Sequence, residues 1–154
     1  MWGFLSRWLL SGVVRSALAF ESEAIQIYRG LCEKLSGGPL HHSLGHLLQE
    51  EELHWRILSD AAAGKLTITQ LEQALAAHLY TEFEAIEPLE GKQLVDLGEA
   101  IARAREEEEK TYIFYSNLSR ISKIPVVKKT FEVLAHMEKE HIDILRRLLT
   151  HREG

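Results

Sequence analysis

Two stretches of this chain carry the same residues in the same order at a fixed distance. Glu21, Tyr28, Glu51 and His54 recur as Glu108, Tyr115, Glu138 and His141, each 87 positions further on. Such a repeat implies one structural unit used twice. Within each copy a Glu-x-x-His places two side chains three residues apart, which on a helix makes them neighbours with Cβ atoms about 5–6 Å apart. Each tyrosine follows the lone glutamate by seven residues, almost two helical turns, and so shares its face. The unit is therefore predicted to be a helical hairpin, and two hairpins make a four-helix bundle.

Helix punctuation supports this reading. The first helix is predicted from about Phe4 to Leu35, stopped by Ser36-Gly37-Gly38, with Pro39 opening a second that runs to roughly Ala63. The second hairpin repeats the plan, from about Gly91 to Ile121, a turn at Ser122 to Ile124, and Pro125 opening a last helix that ends near His151. No strand-like alternation occurs, so the fold class is all-α. Between the hairpins, Gly64 to Glu90 is too long for a tight turn. It holds a short helical pattern in Ile68, Leu71, Leu75 and Leu79, with Thr67 as cap. A connector of that length can cross from one end of the bundle to the other. Its acidic residues Glu82, Glu84, Glu87 and Glu90 are expected at the solvated surface.

The 154 residues suit one domain, and 45% hydrophobic with 27% charged content supports a substantial core. A formal net charge of −5 leaves no broad basic surface, so nucleic acid is not an expected partner. Cys32 is the only cysteine. This sequence therefore offers no disulfide framework and no Cys-x-x-Cys pair for a zinc or one-iron centre, and electrons would have to come from an external donor.

The segment from Met1 to Phe20 is apolar, with Ala17-Leu18-Ala19 resembling a cleavage site. A signal peptide is not expected, because no Lys or Arg precedes the apolar run, Arg7 and Arg15 interrupt it, and cleavage after Ala19 would leave Glu21 on a frayed end. A membrane span is not expected either. Arg7, Ser11 and Arg15 fall at four-residue spacing, which reads as an amphipathic extension of the first helix that packs on the bundle or on a second subunit, with a membrane surface as the less favoured alternative. A cytoplasmic homodimer is the expectation.

Counting from the turns shows that the repeated residues share a level. Glu21 lies 15 residues before Ser36 and Glu51 lies 12 after Pro39, while Glu108 lies 14 before Ser122 and Glu138 lies 13 after Pro125. At about 1.5 Å rise per residue these offsets differ by a turn or less. Four carboxylates and two imidazoles in a bundle interior would repel and be costly to desolvate. Two divalent cations cancel the four charges, which predicts a dinuclear site held by Glu21, Glu51, His54, Glu108, Glu138 and His141. Oxygen-rich donors with one nitrogen per ion suit iron first and manganese second. Because helical side chains lean toward the N-terminus, Tyr28 and Tyr115 point back at this layer, where each is expected to donate a hydrogen bond to a ligating carboxylate. Glu50, Glu52, Glu106, Glu107, Glu109 and Glu140 are expected to face away from it into solvent, and His41, His42, His46, His78, His136 and His151 to lie at the surface.

These residues resemble the rubrerythrin-type members of the ferritin-like superfamily, above all in Ala100-Ile101 through Glu108 to Phe114-Tyr115 and in Leu134 through Glu138 to His141, over roughly residues 15–150. The resemblance implies a ferritin-like bundle with a long crossover. It further implies terminal ligation by Glu21 and Glu108, bridging by Glu51 and Glu138, and one histidine, His54 or His141, on each iron. The implied chemistry is reduction of hydrogen peroxide or dioxygen by two ferrous ions. Full rubrerythrins add a four-cysteine electron donor and a further helix glutamate; three positions beyond Glu108 this chain has Thr111. Its four Glu and two His are closer to bacterioferritin sites, though with no Met in the second helix a haem cage is not expected. Two alternatives stay open: iron sequestration without turnover, and membrane-associated hydroxylation, since Glu21 to Gly30 (Glu-x6-Tyr-Arg-Gly) also resembles the ubiquinone-biosynthesis hydroxylases.

Overall fold

The computed structural model describes residues 2–79 and 86–150. Among these residues five helices follow one another: α1 (Trp2–Glu33), α2 (Pro39–Ala62), α3 (Ile68–Leu79), α4 (Gly91–Ile121) and α5 (Pro125–Leu148). No strand occurs among the described residues, and the four long helices pack foremost as the hairpin pairs α1 with α2 and α4 with α5.

The turns form where local chemistry demands them. Gly37 and Gly38 have φ of 119° and 93°, a region that side chains with a Cβ seldom enter, so the glycine pair permits the reversal between α1 and α2. In the second hairpin Ile124 is extended at φ −90° and ψ 115°, as the ring of Pro125 requires of the residue before it. Both prolines sit at the start of their helices, where a missing N–H loses no bond. The short connector helix is held by a reciprocal cap. Gln70 N donates to Thr67 Oγ1 at 3.2 Å, while Thr67 N donates to Gln70 Oε1 at 2.9 Å.

Apolar side chains form two clusters, one on either side of a polar layer. Tyr28, Leu31, Leu44, Leu47, Ile101 and Leu145 belong to the first, and Ala17, Ile57, Leu58, Phe131, Leu134 and Met137 to the second. Every long helix passes from one cluster to the other through a repeated glutamate, as in Ala17, Glu21, Tyr28 on α1 and Leu47, Glu51, Ile57 on α2. The connector joins the two ends. Leu66, Leu71 and Ala74 pack into the second cluster, whereas Ile86 and Leu89 pack into the first, with Leu89 N donating to Leu148 O at 2.8 Å. The long crossover expected from the sequence is thereby present.

Some expectations shift in detail. α1 begins two residues earlier than predicted and ends at Glu33 rather than Leu35, and α5 ends at Leu148. Ser11 and Arg15 are exposed while Val14 and Ala17 are buried, so this turn of α1 is amphipathic; the side chains of residues 1–10 lie outside the described residues. Glu87 and Glu90 are exposed, and Glu82, Glu84 and His151 also fall outside. No described helix is long and apolar enough to cross a membrane. Leu134 is completely buried, so Leu134→Ala should lower the unfolding free energy by about 2–5 kcal/mol. Denaturant titration of the two proteins checks this.

Candidate metal centre

All six repeated donors meet in the layer between the clusters. Glu21, Glu51, His54, Glu138 and His141 have no solvent exposure, and Glu108 is 3% exposed. Their donor atoms fall into two groups: Glu21, Glu51, His54 and Glu138 form one, and Glu51, Glu108, Glu138 and His141 the other, with all donor atoms of a group within 4.8 Å of one another. Glu51 and Glu138 belong to both groups. One helix of each hairpin thus supplies a shared carboxylate and an imidazole, and the other helix a lone carboxylate.

The imidazoles turn the same nitrogen inward. Nδ1 of His54 lies 3.0, 3.3 and 3.5 Å from carboxylate oxygens of Glu138, Glu51 and Glu21. Nδ1 of His141 lies 2.7 Å from Glu51 and 3.5 Å from both Glu108 and Glu138. The two rings stack with centroids 5.2 Å apart and planes 10° apart. Tyr28 Oη donates to Glu108 Oε1, and Tyr115 Oη donates to Glu21 Oε1. Each phenol therefore crosses to the other hairpin and holds its lone glutamate.

Burial and crowding set the protonation. Burial first, and then the Glu51 charge, push the Glu21 carboxyl from 4.5 to about 7. Burial and the charge of Glu138 push Glu108 to about 8. Burial also favours neutral imidazoles, but the surrounding carboxylates prevail and hold His54 and His141 well above their ordinary value. For Glu51 the same contest goes the other way: burial and Glu108 raise it, and the two imidazoles outweigh them, leaving it below 4.5. Burial, with the facing carboxylates, drives both phenols upward, so Tyr28 and Tyr115 remain hydrogen-bond donors.

A divalent ion fits what these residues leave undone. Glu21 Oε2, both oxygens of Glu51 and Glu138 Oε2 are buried and lack a well-aligned hydrogen bond, their near neighbours being the imidazole nitrogens. Such orphaned oxygens are expensive in a protein interior. Here they converge with an imidazole nitrogen in each group, the donor chemistry that carboxylate-bridged metal pairs use.

One neighbour of the cluster departs from expectation. Glu50 does not face solvent: it is 8% exposed, and its Oε2 lies 2.7 Å from Nε2 of His141. The repeated face accounts only for the inner nitrogen of each histidine, and the outer nitrogen of a metal-ligating ring needs its own partner. That requirement was the available signal. Glu52 and Glu106 are exposed, while Glu107, Glu109 and Glu140 are partly so. His42 and His136 are exposed, His41 and His46 half-buried, and the His78 side chain lies outside the described residues. Thr111 is buried and donates to the Glu107 carbonyl at 3.0 Å, so its hydroxyl is tied to its own helix. Beside it a narrow cleft between α1 and α4, lined by Phe20, Glu23, Ile27 and Glu107, reaches Tyr28 and Glu108.

The model of the rubrerythrin family matches residues 13–149. The chain belongs to the rubrerythrin family. No curated protein and no solved structure matches it. The family match spans both hairpins and the connector, so all six donors and both tyrosines lie inside it. A rubrerythrin-family bundle with a buried carboxylate and histidine cluster able to hold metal is thus shown.

Proposed function

We propose that this protein is a di-iron oxidoreductase that reduces hydrogen peroxide or dioxygen, drawing on an external electron donor. The observation that carries the reading is the pair of four-donor groups sharing Glu51 and Glu138. Glu51 and Glu138 would bridge, Glu21 and Glu108 would bind one ion each, and His54 and His141 would complete the two sets. Iron held there would supply two electrons per peroxide, which with two protons yield two waters, together with Lewis acidity.

The remaining residues orient and protect. Tyr28 and Tyr115 fix the rotamers of Glu108 and Glu21 through their hydroxyls. The apolar clusters on either side keep bulk water from the layer. The cleft at Thr111 is narrow, which favours an oxidant of a few atoms, and it leads to Glu108 and the Tyr28 side chain. Manganese is the second choice of metal, by the same donor chemistry.

The test is anaerobic reconstitution with two equivalents of ferrous iron followed by rapid mixing with peroxide or oxygenated buffer. Oxidation much faster than that of free ferrous iron supports the proposal; a rate equal to free iron defeats it, and binding without turnover would indicate sequestration. Tyr28→Phe and Tyr115→Phe should retain two-metal binding yet slow oxidation by about 10–100-fold, the usual effect of removing a group that orients a ligand. Stopped-flow absorbance on each variant measures this.

A further inference from the structure

The internal repeat breaks at a position in contact with the centre. Residue 50 immediately precedes the first Glu-x-x-His and residue 137 the second, yet one is Glu and the other Met. Glu50 reaches from α2 to α5 and meets Nε2 of His141 at 2.7 Å, while Nδ1 of the same ring faces Glu51, Glu108 and Glu138. His54 presents Nδ1 in the same manner, but its Nε2 is buried without a hydrogen-bond partner. Met137 is fully buried and carries only a thioether, a weak acceptor.

A carboxylate on the outer N–H of a ligating imidazole fixes the ring and its tautomer and makes the inner nitrogen a stronger donor. It also adds a negative charge close to the bound cation. Only one half of this centre has that support. We infer that Glu50 is a positioning residue that makes the halves unequal. The group Glu51, Glu108, Glu138 and His141 takes its divalent cation first and more tightly than the group Glu21, Glu51, His54 and Glu138. This rests on the cluster being a two-metal centre, but not on the metal being iron or on any turnover.

Calorimetric titration of the metal-free full chain with Co(II) tests it. The unmodified protein should bind in two steps, the first at least about tenfold tighter. Glu50→Ala and the isosteric Glu50→Gln should weaken the first step by about 10–100-fold and leave the second nearly unchanged. If the alanine variant does not fold, by its helical circular dichroism, the glutamine variant decides. His54→Ala should keep the tight step and His141→Ala lose it, while Met137→Asp should tighten the second. In proton spectra of the Co(II)-loaded protein, only one exchangeable imidazole N–H resonance should move on Glu50→Gln, a change that a general loss of packing would not produce. Two equal steps, a tight step that survives His141→Ala, or Glu50 variants that weaken both steps alike would overturn the inference. Absence of any Co(II) binding would instead defeat the metal-centre reading, and this inference with it.

Discussion

Glu51→Ala combined with Glu138→Ala should abolish two-metal binding. Each of these carboxylates belongs to both donor groups. Removing the pair leaves Glu21 with His54 and Glu108 with His141, a two-donor remnant on each side and nothing to span them. Charge reinforces the loss, because two carboxylates cannot neutralise two divalent cations in a site so deeply buried. The metal-free double variant is also expected to be less stable than its parent. His54 and His141 are raised by the carboxylates around them, and without Glu51 and Glu138 they must be buried neutral or carry charge with reduced compensation. Metal analysis after equilibrium dialysis reads the stoichiometry, and retention of two ions per chain would defeat the assignment of bridging roles. The single variants should keep one ion at most, since one remaining bridge cannot complete both groups.

The fold and most of this centre could be read because the same instruction is written twice. A lone Glu-x-x-His is common on solvated helices, but Glu51 and His54 matched by Glu138 and His141 at a constant offset identify one inward face on four helices. Helix limits were legible wherever the backbone has a chemical reason to turn, as at Gly37, Gly38, Pro39 and Pro125. They drifted where no such residue stands: α1 frays out at Glu33, before the glycines, since Lys34 and Leu35 bond back to Leu31 and Cys32 across a tighter turn. The hydrogen-bonding exchange of Tyr28 and Tyr115 between hairpins was only half visible. Sequence register places each phenol at the right height, but which carboxylate it reaches depends on how α1 and α4 pack. Glu50 escaped for a similar reason. It sits one residue, or about 100° of helix, from Glu51, off the face that the repeat selects, and its partner His141 stands on α5, 91 residues away in the sequence.

The metal-free and metal-loaded proteins should respond to pH in opposite senses. In the metal-free chain Glu21 is pushed to about 7 and Glu108 to about 8, so between 4.5 and those values the folded state holds protons that the unfolded chain has released. Stability then falls as pH rises, being fully present below 4.5 and lost as pH passes through the folded values. His54 and His141 add the same sign above 6.5, because their folded values are raised. Glu51 acts oppositely: held below 4.5, it stabilises above that value and its contribution disappears on acidification. The metal-free maximum therefore belongs in mildly acidic solution. A cation needs the same carboxylates and imidazoles deprotonated, so binding must expel their protons and its affinity must climb with pH. At a free metal concentration of about 1,000 Kd the ligand adds about 4 kcal/mol, which for a chain of this size corresponds to roughly 8–16 °C in Tm. Calorimetric scans from pH 6 to pH 9, with chelator and with Mn(II), should show the two Tm curves diverging as pH increases, and proton release on Mn(II) addition at neutral pH should exceed one per ion. Parallel curves, or uptake rather than release of protons, would mean that these buried groups do not surrender their protons to a metal.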